Sequence, residues 1–304
     1  MYRVKLLGGP DGGMWPVMRQ SFQGAGIVRN YHFDQSHVDY DILLSIGGGA
    51  HVAEEIAISS IPKERRFVLQ MESPLFYRLS DVHVELFKFV ISPVVIPLPY
   101  GTELIQTHPS PPWFYDIEFD TTVGLTHSIV NYDRNKNLEF YCEEIPKNKN
   151  KLLSMITSTK GMSEGHKLRV SIATQLKQVL KDEIDLYGFG HRPIANKRDA
   201  VDNYKYSIVV ENDLSEYFIT EKIFDVILGG ATPIYIGASR INEFYNSHIY
   251  TVDPRGQSTE SILNKILLYL DKEQSAAIKS SQRFETLFNL NFFYHMSNIF
   301  DTHL

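Results

Sequence analysis

A chain of 304 residues, 43% hydrophobic and 22% charged, is long enough for one large globular domain or two ordinary ones. Its formal net charge of −6 argues against nucleic acid as a partner, because nucleic-acid-binding proteins concentrate basic side chains. A single cysteine, Cys142, excludes an intramolecular disulfide and is typical of a protein from a reducing compartment.

The sequence lacks the apolar stretches that membrane segments require. No run approaches the roughly 20 apolar residues that a transmembrane helix needs. The first residues, MYRVKLLGGPDGG, also lack the apolar core of a signal peptide. We therefore expect a soluble, cytoplasmic protein without a transmembrane segment.

The first half of the chain alternates short apolar runs with polar stretches that can form helices. The apolar runs predict strands over residues 2–7, 40–46, 67–71 and 89–92. A helix is predicted over residues 51–60, and the stretch 106–118, rich in proline and aromatic residues, predicts a long irregular loop.

The second half repeats this alternation after a polar, proline-bearing segment, 145–151, which predicts a linker. Helices are predicted over residues 165–180 and from Glu221, with Thr220 as the N-cap of the second. An aromatic-rich stretch, 289–300, predicts a C-terminal helix. Apolar runs predict strands over residues 152–157, 184–187, 207–210 and 231–237.

Alternating strands and helices predict an α/β fold with two doubly wound, Rossmann-like domains. The first domain is expected over residues 1–148 and the second over 149–286, with the helix within 287–304 packing back onto the first. Such sheets bind ligands at the carboxyl ends of their strands. The residues at predicted strand ends are Glu72, Gly188, Glu211 and Asn212.

Charged side chains near two predicted helix starts are candidates for binding an anion. Glu221 and Lys222 fall in the first turn of one helix, where free backbone N–H groups and a lysine favour phosphate. Arg169 lies early in the helix 165–180, after a strand and a polar loop. Such residues are also common on solvated helix surfaces, so the residues alone leave both interpretations open.

The order of motifs from residue 206 to 237 resembles the signature of the α1,3/1,4-fucosyltransferases, glycosyltransferase family 10. Residues 211–212 (EN) are similar to the family's FEN, and 217–222 (YFITEK) to its YITEK or YVTEK. Residues 230–234 (GATPI), with Gly237 just beyond, are similar to its GxVPI. The match is good over about residues 150–255, and is thinner before, where ESP (72–74) and PYG (99–101) resemble family elements.

The resemblance implies a GT-B fold, two doubly wound domains facing a cleft, with GDP-β-L-fucose bound mainly by the second domain. Charge grows on the leaving GDP, and fixed cations or N–H donors must stabilise it. At positions that match the family motifs, the resemblance implies that Arg169 and Lys222 contact the diphosphate and that Asn212 lies at the donor phosphates.

The resemblance also implies two further donor-binding positions. Glu221, the glutamate of TEK, is implied to bind the donor, at sugar hydroxyls. The aromatic residue before TEK is usually tyrosine in the family but is Phe218 here. Any hydroxyl contact made at that donor-binding position is therefore lost, or is taken over by Tyr217.

A carboxylate in the first half is the candidate general base. Glu72 follows an apolar strand and precedes Ser73 and Pro74, which turn the chain. Partial burial at a strand end would increase its basicity, and the family's matching ESP glutamate is the proposed base. A turn glutamate is the ordinary alternative, and Asp81 and Glu85 are weaker candidates for the base.

Other motifs do not change this interpretation. Gly47, Gly48 and Gly49 follow a strand, but the NAD-binding spacing G-x-G-x-x-G would need glycine where Val52 stands. We interpret DxD spacing at residues 39–41 as a chance match because it precedes its strand, and the histidines show no metal-ligand spacing.

The sequence thus predicts a metal-independent, inverting fucosyltransferase that moves L-fucose from GDP-fucose to a hydroxyl of an acceptor oligosaccharide or glycoconjugate, with an α1,3-type linkage. Two alternatives remain open. One is a related GT-B transferase that uses another nucleotide sugar, which Phe218 leaves open. The other is a catalytically silent module that binds a nucleotide sugar.

Overall fold

The computed structural model describes residues 1–8, 14–120, 129–144, 148–245, 249–271 and 280–304. The chain divides into two compact units. The first unit comprises Met1–Pro112, Arg134–Glu139 and Asn289–Leu304, and the second comprises Trp113–Asp133 and Phe140–Phe288.

The division differs from the boundary predicted at residue 148, because residues 113–133 and 140–148 belong to the second unit. The physical reason lies at Asp225, whose carboxylate accepts hydrogen bonds from the backbone N–H groups of Phe114 and Tyr115. In the predicted linker, residues 145–147 lie outside the described part of the chain, and Lys151 begins a strand. The C-terminal segment 289–304 belongs to the first unit.

The first unit is built around a mostly parallel sheet with the strand order β2-β3-β1-β4-β5-β6-β7. Among its described strands, β2 and β3 form the antiparallel pair. Its described strands are β1 (Tyr2–Gly8), β2 (Ile27–Val28), β3 (Tyr31–Asp34), β4 (Ile42–Ile46), β5 (Arg66–Leu69), β6 (Phe89–Ser92) and β7 (Glu103–Gln106). Its described helices are α1 (Trp15–Met18), α2 (Ala50–Ile58), α3 (Asp81–Val84) and the C-terminal α10 (Phe292–His303), while α4 (Leu138–Glu143) spans a division point.

Apolar side chains on both faces of this sheet explain why its strands are nearly continuous hydrophobic runs. One face packs against α10, where Phe300 lies 4.8 Å from Phe67 and 5.9 Å from Phe33, measured between ring centroids. The other face packs against α2 through Val52 and Ile56. The core therefore holds the strand ends at fixed positions from both sides.

The second unit contains a fully parallel sheet with the order β11-β10-β12-β13-β14 and a separate antiparallel pair, β8 with β9. The described strands are β8 (Ile117–Phe119), β9 (Ile129–Tyr132), β10 (Lys151–Ile156), β11 (Ile184–Tyr187), β12 (Tyr204–Val210), β13 (Thr232–Ile236) and β14 (Tyr250–Val252). The described helices are α5 (Glu164–Leu180), α6 (Arg198–Val201), α7 (Glu221–Leu228), α8 (Thr259–Leu270) and α9 (Ser280–Asn289).

The predicted strands and helices of both halves are present, with shifts of a few residues at their ends. Several described elements were not predicted from the sequence: strands β2, β3, β7, β9 and β14, and helices α1, α3, α4, α6, α8 and α9. Strand β8, Ile117–Phe119, overlaps the end of the predicted loop 106–118. Within the described ranges, no helix combines the length and hydropathy needed to cross a bilayer.

Candidate active site

The polar residues of the second unit gather where β10, β12 and β13 end. Glu211 and Asn212 directly follow β12, Ser158 follows β10, and Gly237 follows β13. The N-terminal turns of α5 and α7 reach the same edge, because Ser163 and Thr220, which precede these helices, hydrogen-bond to Asn212 and Glu211. This is the edge at which doubly wound sheets bind ligands.

The start of α5 is fixed against the end of β12. The hydroxyl of Ser163 donates to the carbonyl of Asn212 at 2.6 Å and accepts from the backbone N–H of His166 at 3.1 Å, which caps the helix. A Cβ on Gly165 would lie 2.3 Å from the carbonyl oxygen of Glu211, so only glycine permits this close approach.

Arg169, one turn further along α5, is 6% exposed. Its guanidinium donates to Asn212 Oδ1 at 2.7 Å and to Ser158 Oγ at 2.8 Å. Its Nε is buried and has no hydrogen-bond partner among the described residues. Burial lowers the pKa of Arg169, while the carboxylates of Glu211 and Glu221 act in the opposite direction.

Glu211 organises the segment that leads into α7. Its side chain is fully buried, and its carboxylate accepts from the backbone N–H of Thr220 at 2.9 Å and from the Thr220 hydroxyl at 2.7 Å. Burial raises the pKa of Glu211, and the ammonium of Lys222 opposes that shift. Thr220 occupies the predicted N-cap position, but its hydroxyl binds Glu211 instead of capping the helix.

Lys222 lies between two carboxylates. Its Nζ is 3.5 Å from Glu211 Oε2 and 3.5 Å from Glu221 Oε1, and it donates to the Thr220 hydroxyl at 2.9 Å. Burial alone would raise the pKa of Glu221, but Lys222 and Lys197 lower it to about 2. Lys222 and Glu221 are 22% and 23% exposed, so both retain surface that a ligand can reach.

The structure gives a physical reason for the glycine that follows β13. A Cβ on Gly237 would lie 2.7 Å from Glu211 Cγ and 2.9 Å from the Tyr235 hydroxyl. Both neighbours are buried. Glycine at this position therefore permits the packing that holds the Glu211 carboxylate against Thr220.

The aromatic residue before TEK is buried. Phe218 is 1% exposed, and its carbonyl accepts from the Tyr235 hydroxyl at 3.4 Å. Phe218 therefore has little accessible surface of its own, and its role in donor binding stays a prediction. Tyr217 is half-buried, with its ring edge-on to Phe244.

Three charged residues that the sequence did not identify fix α7 in place. Asp225 is 1% exposed and pairs with Lys197. Arg283 donates to the carbonyls of Ile227 and Leu228, at the C-terminal end of the helix. Cations there complement the negative end of the helix dipole. Asp225 could have been noticed in the sequence, because it is the one charged residue in the apolar run 224–228 (FDVIL).

His166 belongs to the same electrostatic environment as the two predicted cations. Burial lowers its pKa to about 4, and Arg169, Lys160 and Lys222 act in the same direction. The imidazole is therefore neutral at pH 7, and its pKa depends on the charges that surround Arg169 and Lys222.

The candidate base lies in the first unit, in the loop that follows β5. Gln70 is fully buried, and its amide donates to the carbonyl of Glu72 at 2.7 Å and to that of Tyr77 at 2.6 Å. Glu72 itself is exposed, so the partial burial expected from the sequence is absent. Its loop is nevertheless held at two points by one buried amide.

Asp81 and the two aspartates of the DxD spacing have structural partners. Asp81 pairs with Arg78 at 3.1 Å, and the carboxylates of Asp39 and Asp41 both pair with Arg3, at 2.8 and 3.8 Å. The DxD spacing thus forms ion pairs with the first strand. In the part of the chain that the structure describes, no group of three or more His, Cys, Asp or Glu side chains is placed to hold a metal ion.

Comparison with known proteins connects this site to a family. The family model described as glycosyltransferase family 10 (fucosyltransferase), C-terminal, matches residues 146–284. A 3-galactosyl-N-acetylglucosaminide 4-alpha-L-fucosyltransferase of Bos taurus is 31% identical over 124 residues, which are 38% of this chain and 34% of that protein. The chain spans between 12% and 34% of the length of three curated relatives that it matches.

Solved structures resemble the whole chain in fold. A crystal structure of an alpha1,3-fucosyltransferase with GDP-fucose matches 99% of this chain and 90% of its own, with 13% identity and a TM-score of 0.51. An alpha-glucosyltransferase in complex with UDP and DNA matches over the full length of both chains, with 10% identity and a TM-score of 0.57. The predicted GT-B fold class, with two doubly wound domains, is thereby confirmed.

The family model lies over the unit that contains Arg169, Glu211 and Lys222, and the motifs around those residues are the ones that resemble the fucosyltransferases. Motif, family model and fold agree: residues 146–284 match glycosyltransferase family 10, the fucosyltransferase family, and the chain is similar to that family's members in sequence and fold.

Proposed function

We propose that the protein is an inverting fucosyltransferase that transfers L-fucose from GDP-β-L-fucose to a hydroxyl of an acceptor glycan, with an α1,3-type linkage. The observation that best supports a nucleotide-sugar donor is Arg169, a buried guanidinium with an unpaired Nε at the carboxyl edge of the sheet. A buried donor without a partner is costly unless a ligand satisfies it.

The donor site that we propose is the edge formed by Arg169, Asn212, Glu221 and Lys222. Arg169 and Lys222 hold the two phosphate groups, because a guanidinium and an ammonium supply charged hydrogen-bond donors. Asn212 orients Arg169 through its side-chain oxygen, and Glu221 retains exposed surface for donor hydroxyls. Phe218 is buried beside this site and is the position at which a family tyrosine would bind the donor.

In the proposed reaction, an acceptor oxygen attacks the anomeric carbon of fucose from the face opposite GDP. The new C–O bond forms as the bond from that carbon to the GDP oxygen breaks, which inverts the configuration. Glu72 takes the proton from the acceptor hydroxyl. The charge that develops on GDP is stabilised by Arg169 and Lys222, so the reaction as proposed needs no metal ion.

The assignment of roles follows the two units. We propose that the second unit binds GDP-fucose and that the first unit, which contains Glu72, binds the acceptor oligosaccharide or glycoconjugate. The curated and solved fucosyltransferases that resemble the chain support fucose as the transferred sugar. Phe218, where the family has tyrosine, makes the donor sugar the point to test first.

Calorimetric titration in EDTA with GDP, GDP-fucose, GDP-mannose and a UDP-sugar tests the proposal directly. We expect binding of GDP and GDP-fucose and little binding of the UDP-sugar. Preference for another nucleotide sugar would identify a related GT-B transferase. Binding of GDP-fucose without transfer to any glycan of a broad panel would identify a silent nucleotide-sugar-binding module.

A further inference from the structure

We propose that Lys197 is a positioning residue of the donor site, whose ammonium holds the Glu221 carboxylate in place to accept hydrogen bonds from donor hydroxyls. The inference rests on the proposed function, which makes Glu221 a donor ligand. It adds a residue from the segment between β11 and α6, outside the motif-bearing stretch 206–237.

The backbone on both sides of Lys197 is fixed by hydrogen bonds. The N–H of Phe119 donates to the carbonyl of Ala195 at 2.9 Å, and the N–H of Ala200 donates to that of Lys197 at 3.1 Å. The side chain of Lys197 is only 18% exposed. It therefore begins at a fixed point and reaches α7 largely out of contact with solvent.

Asp225 fixes the other end of the side chain. Its carboxylate is buried, and its Oδ1 accepts from the backbone N–H groups of Phe114 and Tyr115 at 3.0 and 2.7 Å, while Oδ2 accepts from Lys197 Nζ. The same ammonium lies 5.3 Å from the centre of the Phe114 ring, within the range of a cation–π contact. These contacts hold the ammonium in place, 3.9 Å from Glu221 Oε1.

The two carboxylates of α7 require a cation between them. Glu221 and Asp225 are four residues apart on the helix, so they lie one turn apart on the same face, where like charges repel. Lys197 Nζ pairs with both. Burial and Glu221 raise the pKa of Asp225, and Lys197 opposes that shift. One ammonium thus allows both carboxylates to stay charged side by side.

Lys197 also leaves Lys222 available for phosphate. Both ammonium groups pair with the same oxygen, Glu221 Oε1, at 3.9 and 3.5 Å, and neither pair involves Oε2, which can accept from a ligand hydroxyl. These two lysines are the cations that lower the pKa of Glu221. Without Lys197, the charge of Glu221 would be offset chiefly by Lys222, which the proposed reaction needs at the phosphates.

The ordinary alternative is that Lys197 only neutralises the buried Asp225. Lys197→Met alone would not separate the two roles, because an unpaired buried carboxylate destabilises the whole fold. Asp225→Asn separates them. Asparagine keeps the oxygen that accepts from the N–H groups of Phe114 and Tyr115, and it removes the charge that Lys197 neutralises.

Calorimetry with GDP-fucose therefore compares Asp225→Asn with Lys197→Met/Asp225→Asn. We expect Lys197→Met to weaken binding about tenfold or more in this background, because Glu221 loses a cation that orients it. Lys197→Arg/Asp225→Asn should bind within about threefold of Asp225→Asn, since it keeps the charge. Lys205→Met/Asp225→Asn is the matched control and should not change binding, because Lys205 carries the same charge but is exposed on β12.

Glu221→Gln completes the test by removing the group through which Lys197 is proposed to act. Once residue 221 is glutamine, Lys197→Met should change GDP-fucose affinity by less than about twofold, because the two effects are then not additive. A loss that persists with Glu221→Gln would mean that Lys197 acts on the donor directly, and would overturn the positioning role.

The inference is also overturned if Lys197→Met has no effect in the Asp225→Asn background, which would leave Lys197 a structural partner of Asp225 alone. Circular dichroism on the same samples shows that the variants are folded. Failure of the parent protein to bind GDP-fucose would instead overturn the donor site of the proposed function, and this inference with it. The parent thus reports on the proposed function, and the variants of a binding-competent parent report on Lys197.

Discussion

The carboxyl-edge sites of the two units differ in how their polar groups are satisfied. In the second unit, Glu211, Thr220 and Lys222 are buried or half-buried and bind one another, so charge is fixed before any ligand arrives. In the first unit, Glu72 is exposed and its loop is held through backbone carbonyls by Gln70. The site of the second unit is therefore built from paired charged side chains, and that of the first unit from a loop whose backbone is held by Gln70.

The difference corresponds to what each half of the proposed reaction requires. A leaving diphosphate gains charge in the transition state, and preorganised cations stabilise it without rearrangement. An acceptor hydroxyl is neutral before it reacts, so its site needs a complementary shape and one base. The bound acceptor would itself exclude water from Glu72 and make its carboxylate a stronger base.

The largest expected effect concerns the base. Glu72→Gln should lower the rate of fucosyl transfer by about 10²- to 10⁴-fold, because the amide cannot accept the proton in the transition state. GDP affinity should not change, since the proposed donor site lies in the second unit. Single-turnover rates and calorimetry measure the two quantities. Glu85→Gln serves as the control, and equal losses in both variants would reject Glu72 as the base.

The next effect tests the cations of the second unit. Arg169→Met and Lys222→Met should each weaken GDP binding by about 10- to 100-fold, because each removes a charged hydrogen bond to phosphate. Lys167→Met is the matched control, since Lys167 lies on the same helix but is exposed. If the Arg169 and Lys222 variants bind GDP as tightly as the control does, the donor site lies elsewhere.

A smaller effect tests the packing behind those cations. Gly237→Ala should destabilise the protein by about 1–3 kcal/mol, because its Cβ would overlap Glu211 Cγ in a well-packed interior. Gly161→Ala places a Cβ in open space and should leave stability nearly unchanged. Denaturant unfolding of both variants measures the difference. Equal stabilities would show that Glu211 shifts at little cost.

The sequence predicted the second unit better than the first, for physical reasons. Strand and helix starts around residues 206–237 follow from strong apolar periodicity and from glycines that end elements. The partners of Asp225 and Arg283 could not be predicted, because most are backbone groups of segments distant in sequence, although an aspartate in an apolar run marked Asp225 itself. The exposure of Glu72 was also not predictable, since local sequence does not reveal what covers a loop.

The smallest effect is a shift in the pKa of His166, which would locate the diphosphate. Its free-state pKa is about 4, because burial and the charges of Arg169, Lys160 and Lys222 disfavour the imidazolium. A diphosphate bound to Arg169 and Lys222 offsets those charges, so the pKa should rise by about one unit.

The sign of the linked effect on affinity follows. Because GDP raises the pKa, protonation of His166 favours binding, so its contribution to GDP affinity grows as pH falls through the GDP-bound pKa. That contribution levels off below the free-state value of about 4 and is absent near pH 7, where both states are neutral. Imidazole NMR titration with and without GDP measures the shift, with His166→Gln assigning the resonance. If GDP binds without changing the pKa of His166, the diphosphate does not lie at Arg169 and Lys222. The paired charges at the carboxyl edge of the second unit would then only stabilise the fold.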